Sequence, residues 1–138
     1  MNTFDHERLD VYQAAIEFVA IADTIASHLP RGRSYLADQL HRAAISVALN
    51  IAEGAGKFSK RDKARLYRIA LRSATECAAI IDVSRLLGLN HETELETGRQ
   101  LLLRIVSMLT RMVKSGTGTG TGTGTETRPQ VHVLEFRR

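Results

Sequence analysis

The sequence predicts an all-α protein, an antiparallel up-and-down four-helix bundle with a disordered C-terminal tail. Apolar residues recur at three- and four-residue spacing through four successive segments, which is the pattern of helices that each bury one face. Aromatic residues make up only 5% of the chain, while alanine, leucine and isoleucine are abundant. This composition favours close helix packing over a sheet. Short connections between the segments favour antiparallel neighbours.

Helix boundaries are predicted from proline, glycine and capping residues. The first helix begins near Arg8 and ends before Pro30, because proline cannot continue a helix. Ser34 is predicted to cap the second helix, since its hydroxyl can accept from free amides of the first turn. This helix runs to Glu53, and Gly54 with Gly56 is expected to supply the conformational freedom of its end.

The third and fourth helices have similar boundary signals. Ser59 lies three residues before Asp62, an arrangement resembling a capping box, and Gly88 closes the third helix. Asn90 is predicted to cap the fourth helix, whose second half is strongly apolar. The predicted inward face of the third helix consists of Leu66, Ile69, Ser73, Glu76, Cys77, Ile80 and Leu87.

The chain divides into a bundle and a tail. Residues 1–115 form the predicted bundle, residues 116–130 a flexible glycine- and threonine-rich linker, and residues 131–138 a short peptide motif. Strand-forming apolar residues in this last segment suggest docking to a sheet edge or groove of a protein partner. A frayed end without a partner is the alternative. The predicted docking residues are Val131, Val133, Leu134 and Phe136.

A row of polar side chains interrupts the apolar pattern of the second helix. On a helical wheel these side chains fall within about 60°, with an arginine at the edge. Apolar residues border the row, so we expect it to lie partly inside the protein, where unpaired polar groups are costly. The row consists of Gln39, Arg42, Ser46, Asn50 and Glu53.

Ser73 and Glu76 are the predicted partners of this row. If the chain reverses near residues 57 and 58, Arg42 lies beside Ser73 and Gln39 lies beside Glu76. We expect Glu76 to accept a hydrogen bond from Arg42. The other two side chains would complete an interhelical network that fixes helix register. Two alternatives stay open: both charged groups are solvated, or the polar residues form an assembly contact.

The same residues carry a resemblance to a known family. The pattern Q-x-x-R-A-x-x-S-x-x-x-N-I-A-E-G runs from Gln39 to Gly54, and A-x-x-S-x-x-E runs from Ala70 to Glu76. In these motifs the chain resembles bacterial four-helix-bundle proteins labelled as 23S ribosomal RNA intervening-sequence proteins. The resemblance covers roughly the first 115 residues and is specific in their middle third. Arg72 stands where these proteins often have glycine.

The resemblance implies both assembly and a partner. Proteins of this family look like homo-oligomers, notably pentameric barrels. Some relatives, the accessory variability determinant proteins, assist the reverse transcriptase of diversity-generating retroelements and bind nucleic acid. By resemblance we expect this chain to self-associate and to present a basic surface to RNA or DNA. A ring would repeat that surface and strengthen its positive potential.

The segment from Lys57 to Arg72 is the candidate binding surface. It contains seven basic residues and one acidic residue, a net formal charge of +6, whereas the whole chain carries +4. Four of its arginines lie within about 60° on a helical wheel and can follow a phosphate backbone. Because Phe58 and Tyr67 are its only aromatic residues, we expect recognition by shape and charge. The predicted contacts are Lys57, Lys60, Arg61, Arg65, Arg68 and Arg72.

Catalytic and metal chemistry are not predicted. The histidines are dispersed, with no pair at the spacing that places two metal ligands on one helix face, so no metal or cofactor is expected. Cys77 is the lone cysteine, which excludes an internal disulfide, and it lies on the predicted core face without an activating base. Neither a signal-peptide pattern nor a run of about 18 apolar residues is present, so we expect a cytoplasmic protein without membrane contact.

The sequence therefore favours a non-enzymatic oligomeric bundle that binds the backbone of RNA or DNA, as an accessory factor. The competing interpretation is an oligomeric scaffold or adaptor that displays its C-terminal peptide to a protein partner. For the basic segment itself, two further alternatives are a solvated helix face and a subunit contact with acidic residues such as Glu92, Glu94 and Glu96.

Overall fold

The computed structural model describes residues 2–116, so the predicted docking peptide and all of the predicted linker except Gly116 lie outside these residues. Four α-helices follow one another: α1 (Asp10–Ser27), α2 (Ser34–Ala55), α3 (Lys60–Leu86) and α4 (Glu92–Gly116). Short 3-10 helices precede α1 and α2, at Asp5–Arg8 and Arg31–Arg33. The described residues contain no strand, so the predicted all-α four-helix fold is confirmed.

Consecutive helices run antiparallel, and α1 closes the bundle against α4. The α2–α3 connection therefore lies at one end, which we call the α2–α3 end, with the start of α1 and the end of α4. The other two connections lie at the opposite end, the α3–α4 end. Within residues 2–116, no helix is both long enough and apolar enough to cross a membrane.

The buried faces of α1, α2 and α3 combine large apolar side chains with alanines, whereas the buried side chains of α4 are leucine, isoleucine and valine. Ala70, Ala74 and Cys77 of α3 are fully buried, and Ile81 is nearly so. The predicted inward face of α3 was therefore wrong at Glu76 and Leu87, which are exposed. Alanine is a weak hydrophobic signal in a sequence, but its small volume lets helices approach closely and so defines the buried face here. Cys77 is buried, as predicted.

Of the predicted helix caps, only that of α3 forms. The Ser59 hydroxyl accepts a hydrogen bond from the Asp62 amide at 3.0 Å, which confirms the predicted N-terminus. The cap predicted at Ser34 was wrong, because the preceding 3-10 turn already makes this residue helical and its side chain caps nothing. Asn90 is also not a cap. Its side-chain amide donates instead to the Ile25 carbonyl and to the Glu94 carboxylate, both at 3.0 Å.

Gly54 has a packing role rather than the predicted conformational one. It is buried inside the last turn of α2, and a Cβ atom built on it would lie 2.7 Å from Cε1 of Tyr67. A side chain at this position would therefore push α3 away from α2. Gly88 is the glycine that meets a conformational requirement, with φ of +64° after the end of α3.

Candidate nucleic-acid interface

Four of the predicted contact residues, all arginines, form one row along the first half of α3, while Lys60 begins this helix and Lys57 lies in the connection before it. We call the six residues together the basic row. Five of them are exposed and Lys57 is half-buried. None of the six forms an ion pair or a side-chain hydrogen bond with another residue of the described range. From Arg61 to Arg72 the row extends for roughly 16 Å along the helix axis. The basic row consists of Lys57, Lys60, Arg61, Arg65, Arg68 and Arg72.

Lys63 lies within the basic segment but has a structural role. Its ammonium group donates to the carbonyl oxygens of Ala55, at 2.8 Å, and Gly54, at 3.4 Å. A cation at a helix C-terminus satisfies free carbonyl groups and interacts favourably with the helix dipole. The ammonium group therefore fastens the start of α3 to the end of α2, which fixes where the basic row begins.

The opposite end of α3 shows how arginines behave when partners are close. Arg85 contacts Glu92 at 2.8 Å and Glu96 at 3.1 Å, so it joins α3 to α4. Arg99 contacts the same Glu96 at 3.3 Å. The hydrogen bond with Glu92 is the main reason that the pKa of Arg85 is raised. We call these four residues the ion-pair cluster.

The acidic residues considered as subunit partners for the basic row are already engaged. Glu92 and Glu96 belong to the ion-pair cluster. Glu94 contacts Nδ1 of His28 at 2.6 Å and accepts from the Asn90 side chain at 3.0 Å. Because these carboxylates face cationic or hydrogen-bonding groups of their own chain, their pairing with arginines of a second subunit is disfavoured.

The polar row of α2 contributes a small network to the α2–α3 interface. The hydroxyls of Ser46 and Ser73 are 2.8 Å apart, and both residues are half-buried. The Asn50 side chain donates to the Ser46 carbonyl at 2.8 Å and to the Ser46 hydroxyl at 3.1 Å. These three residues therefore satisfy one another within the helix pair.

The helix register differs from the prediction by one helical turn. The prediction placed Arg42 beside Ser73, whereas the structure places Ser46 there, four residues later. A helical side chain leans toward the N-terminus of its own helix. In an antiparallel pair, two side chains that touch therefore come from residues slightly C-terminal to the pair whose Cα atoms lie side by side. This lean accounts for part of the shift.

The predicted hydrogen bond between Arg42 and Glu76 is absent from the described residues. Both side chains are exposed, and so are Gln39 and Glu53. Solvation outside the helix pair satisfies these groups without the cost of burying charge. The network therefore contains only Ser46, Asn50 and Ser73. The other predicted members are exposed: Gln39, Arg42, Glu53 and Glu76.

Apolar side chains accompany these outward polar groups on α2. Leu49 is 62% exposed, Tyr35 is 52% exposed and Ile45 is 45% exposed. Together with Arg42 they recur at helical spacing, so they share the outer face of α2. Large apolar groups collected on one face mark a contact surface better than isolated ones do.

Sequence reasoning missed two exposed arginines on α4. Arg104 and Arg111 of α4 are exposed and form no ion pair within residues 2–116. Seven residues apart, they lie on one helix face two turns from each other. Because α4 runs antiparallel to α3, its second half is at the same end of the bundle as the basic row. The seven-residue spacing was visible in the sequence, but strong apolar residues dominate that half-helix.

Metal and thiol chemistry have little support in the described part of the chain. No group of three or more histidine, cysteine, aspartate or glutamate side chains in residues 2–116 is arranged to hold a metal ion. Burial, with a smaller effect from nearby Glu76, raises the pKa of Cys77 to about 12. The thiol is therefore neutral near pH 7 and a poor nucleophile.

Comparison with known sequences agrees with the family resemblance of the Gln39–Gly54 and Ala70–Glu76 motifs. Among curated proteins, no match to the chain was found. A family model described as 23S rRNA-intervening sequence protein matches residues 7–111, about three quarters of the 138-residue chain and most of all four helices. The chain therefore belongs to the 23S rRNA-intervening sequence protein family.

Proposed function

We propose that this chain is a non-enzymatic, self-associating bundle that binds the phosphate backbone of RNA or DNA through the basic row. The observation that carries the proposal is that six cations, in the first half of α3 and the connection before it, have no acidic partner among residues 2–116. The family description names ribosomal RNA, so RNA is the first partner to test. We place this activity in the cytoplasm.

Electrostatics favours a polyanion over a protein surface as the partner. Like charges along one helix face repel, and a polyanion relieves that repulsion while releasing its own counterions. Such a surface binds backbone with little dependence on base sequence.

Fluorescence anisotropy with labelled RNA and DNA tests the proposal. In the triple variant Arg61→Gln, Arg65→Gln and Arg68→Gln, we expect affinity to fall by roughly a hundredfold to a thousandfold at about 0.1 M salt. The slope of log affinity against log salt should also fall by about three. Titrations between about 50 mM and about 200 mM salt give this slope.

Two controls separate charge from folding. The triple variant with lysine at the same three positions keeps the charge, so it should retain most of the affinity. Arg31→Gln removes one exposed charge at the α3–α4 end and should change neither affinity nor slope. Unchanged binding in the glutamine triple variant, with a native circular dichroism spectrum, would overturn the proposal.

The self-association part of the proposal is supported by the outer face of α2. Exposed Ile45 and Leu49 lie beside outward polar groups that have no hydrogen-bond or ion-pair partner among residues 2–116. We propose that this face meets a second copy, with a pentamer as the assembly expected from the family resemblance. Leu49→Lys should reduce the mass measured by light scattering, because it places a charge in the contact. An unchanged mass would exclude this face.

The adaptor interpretation stays a prediction, because its peptide lies outside residues 2–116. Deleting residues 116–138 and recovering bound proteins by pull-down tests it. The interpretation fails if the shortened chain recovers the same proteins as the full chain.

A further inference from the structure

Phe58 is fully exposed in the connection between α2 and α3. Its relative exposure of 103% exceeds that of the other exposed large apolar side chains in the described range, of which Leu86 follows at 84%. Removing a phenylalanine side chain from water is strongly favourable. Folding does not bury this side chain, so a partner that covers it gains the favourable free energy of its burial.

The connection that carries Phe58 is held at both ends. On one side the Lys63 ammonium group donates to the Ala55 carbonyl at 2.8 Å, and the Lys57 amide donates to the Gly54 carbonyl at 3.1 Å. On the other side the Ser59 hydroxyl caps α3. A side chain on such a fastened turn loses little conformational freedom when a partner binds.

Cations surround Phe58 along the chain. Lys57, Lys60 and Arg61 lie within three residues of it, and none of them has an ion-pair partner in residues 2–116. An apolar protein pocket that covered Phe58 would also have to desolvate these charges. A nucleic acid avoids this cost, because each nucleotide offers a flat apolar base next to a phosphate.

We infer that Phe58 stacks on an unpaired base while the neighbouring cations hold the adjacent phosphates. The inference rests on the proposed function and adds to it the class of partner, a nucleic acid with accessible bases such as a single strand or a loop. Tyr67, the other aromatic residue of the segment, is buried and cannot take this role. Stacking tolerates any base, so recognition remains independent of sequence.

A tryptophan reporter tests the contact directly. The chain contains no tryptophan, so Phe58→Trp introduces a single one into the full-length protein. Saturation with a single-stranded RNA oligonucleotide should quench its emission, whereas a blunt duplex of equal length should quench it much less. Leu86→Trp is the matched control, because Leu86 is also exposed but lies roughly 40 Å along α3 from Lys60. Its emission should not change.

Affinity measurements separate this inference from the proposed function. Phe58→Ala should weaken single-strand binding by about fivefold to 150-fold and leave the salt slope unchanged, since no charge is removed. Phe58→Tyr should retain the affinity. If the arginine triple variant loses binding while Phe58→Ala binds normally and the tryptophan emission stays constant, only the stacking inference fails. If the arginine triple variant also binds normally, the proposed function fails.

Two other results would overturn the inference by identifying a different contact. A shift of the Phe58→Trp emission with protein concentration alone would place Phe58 between subunits. A shift on adding vesicles that contain phosphatidylserine, with no response to RNA, would identify a lipid surface. Quenching by the single strand, without either of these shifts, supports stacking on a base.

Discussion

The two ends of α3 use arginine in opposite ways. At the α3–α4 end, Arg85 is 25% exposed and contacts carboxylates of α4. At the α2–α3 end, Arg61, Arg65 and Arg68 are exposed and contact no carboxylate within residues 2–116. The same residue type joins two helices at one end and leaves its charge open at the other.

This difference shows that charge placement is more informative than total charge. The chain's net charge of +4 is modest, yet the segment of residues 57–72 alone carries a net +6. The remainder is slightly acidic, and several of its carboxylates bind cations within the fold. An open basic surface therefore arises because the acids are concentrated and neutralised elsewhere.

The largest expected effect is a difference in folding stability between arginine variants at the two ends of α3. Arg85→Gln removes the contacts to Glu92 and Glu96 and leaves their carboxylates close together, so the free energy of unfolding should fall by about 1–3 kcal/mol. Arg65→Gln is the matched control on the open end and should change it by less than about 0.5 kcal/mol. Urea unfolding measures both. Equal losses would mean that the basic row also stabilises the fold.

The next effect concerns the salt dependence of binding. Arg68→Gln should lower the slope of log affinity against log salt by about one, which corresponds to roughly tenfold weaker binding at about 0.1 M salt. Arg31→Gln, an exposed arginine at the α3–α4 end, should leave the slope unchanged. RNA titrations at several salt concentrations test the pair. A similar slope change in both variants would point to diffuse attraction without a defined site.

The sequence predicted the helices well because their signals are local. Apolar spacing, Pro30 and the Ser59 cap each act within one or two turns, so they could be recognised without knowing the fold. The polar row was also visible, because Ser46 and Asn50 break an otherwise apolar face.

Contacts between helices were predicted less well because they depend on geometry that no local pattern encodes. The prediction placed Arg42 beside Ser73, whereas the structure places Ser46 there, one helical turn later. The role of Gly54 depends on the close approach of Tyr67, which the sequence could not specify. Likewise, the open character of the basic row became visible only when the acids of α4 were found beside Arg85.

A smaller effect is expected from the neutral contact between α2 and α3. Ser46→Ala should cost about 0.5–1.5 kcal/mol of unfolding free energy, because it leaves the half-buried Ser73 hydroxyl without this partner. The double variant with Ser73→Ala should cost less than the sum of the single variants. Urea unfolding of all four proteins gives the coupling. Additive losses would show that the two hydroxyls do not stabilise each other.

The smallest effect is a pH dependence at the ion-pair cluster. The pKa of Glu96 is lowered, first by the hydrogen bond from Gln100 at 2.8 Å and then by the charges of Arg99 and Arg85. A lowered pKa in the folded state stabilises the fold above the ordinary glutamate value of 4.5, and this stabilisation is lost as the pH falls through the lowered pKa. Gln100→Ala should raise the pKa of Glu96 toward its ordinary value, so this variant should lose less stability on acidification than the wild type.

Unfolding free energies measured near pH 7 and after acidification test this expectation. Glu96→Gln is the control background, because it removes the titrating group, and Gln100→Ala should there leave the pH dependence unchanged. If the alanine variant has the same pH dependence as the wild type, Gln100 does not lower the pKa of Glu96.

Protonation of Glu92 and Glu96 would also free Arg85 and Arg99, so acid should make the α3–α4 end electrostatically similar to the basic row. Weak RNA binding at that end should then appear only at low pH, and Arg85→Gln should reduce it.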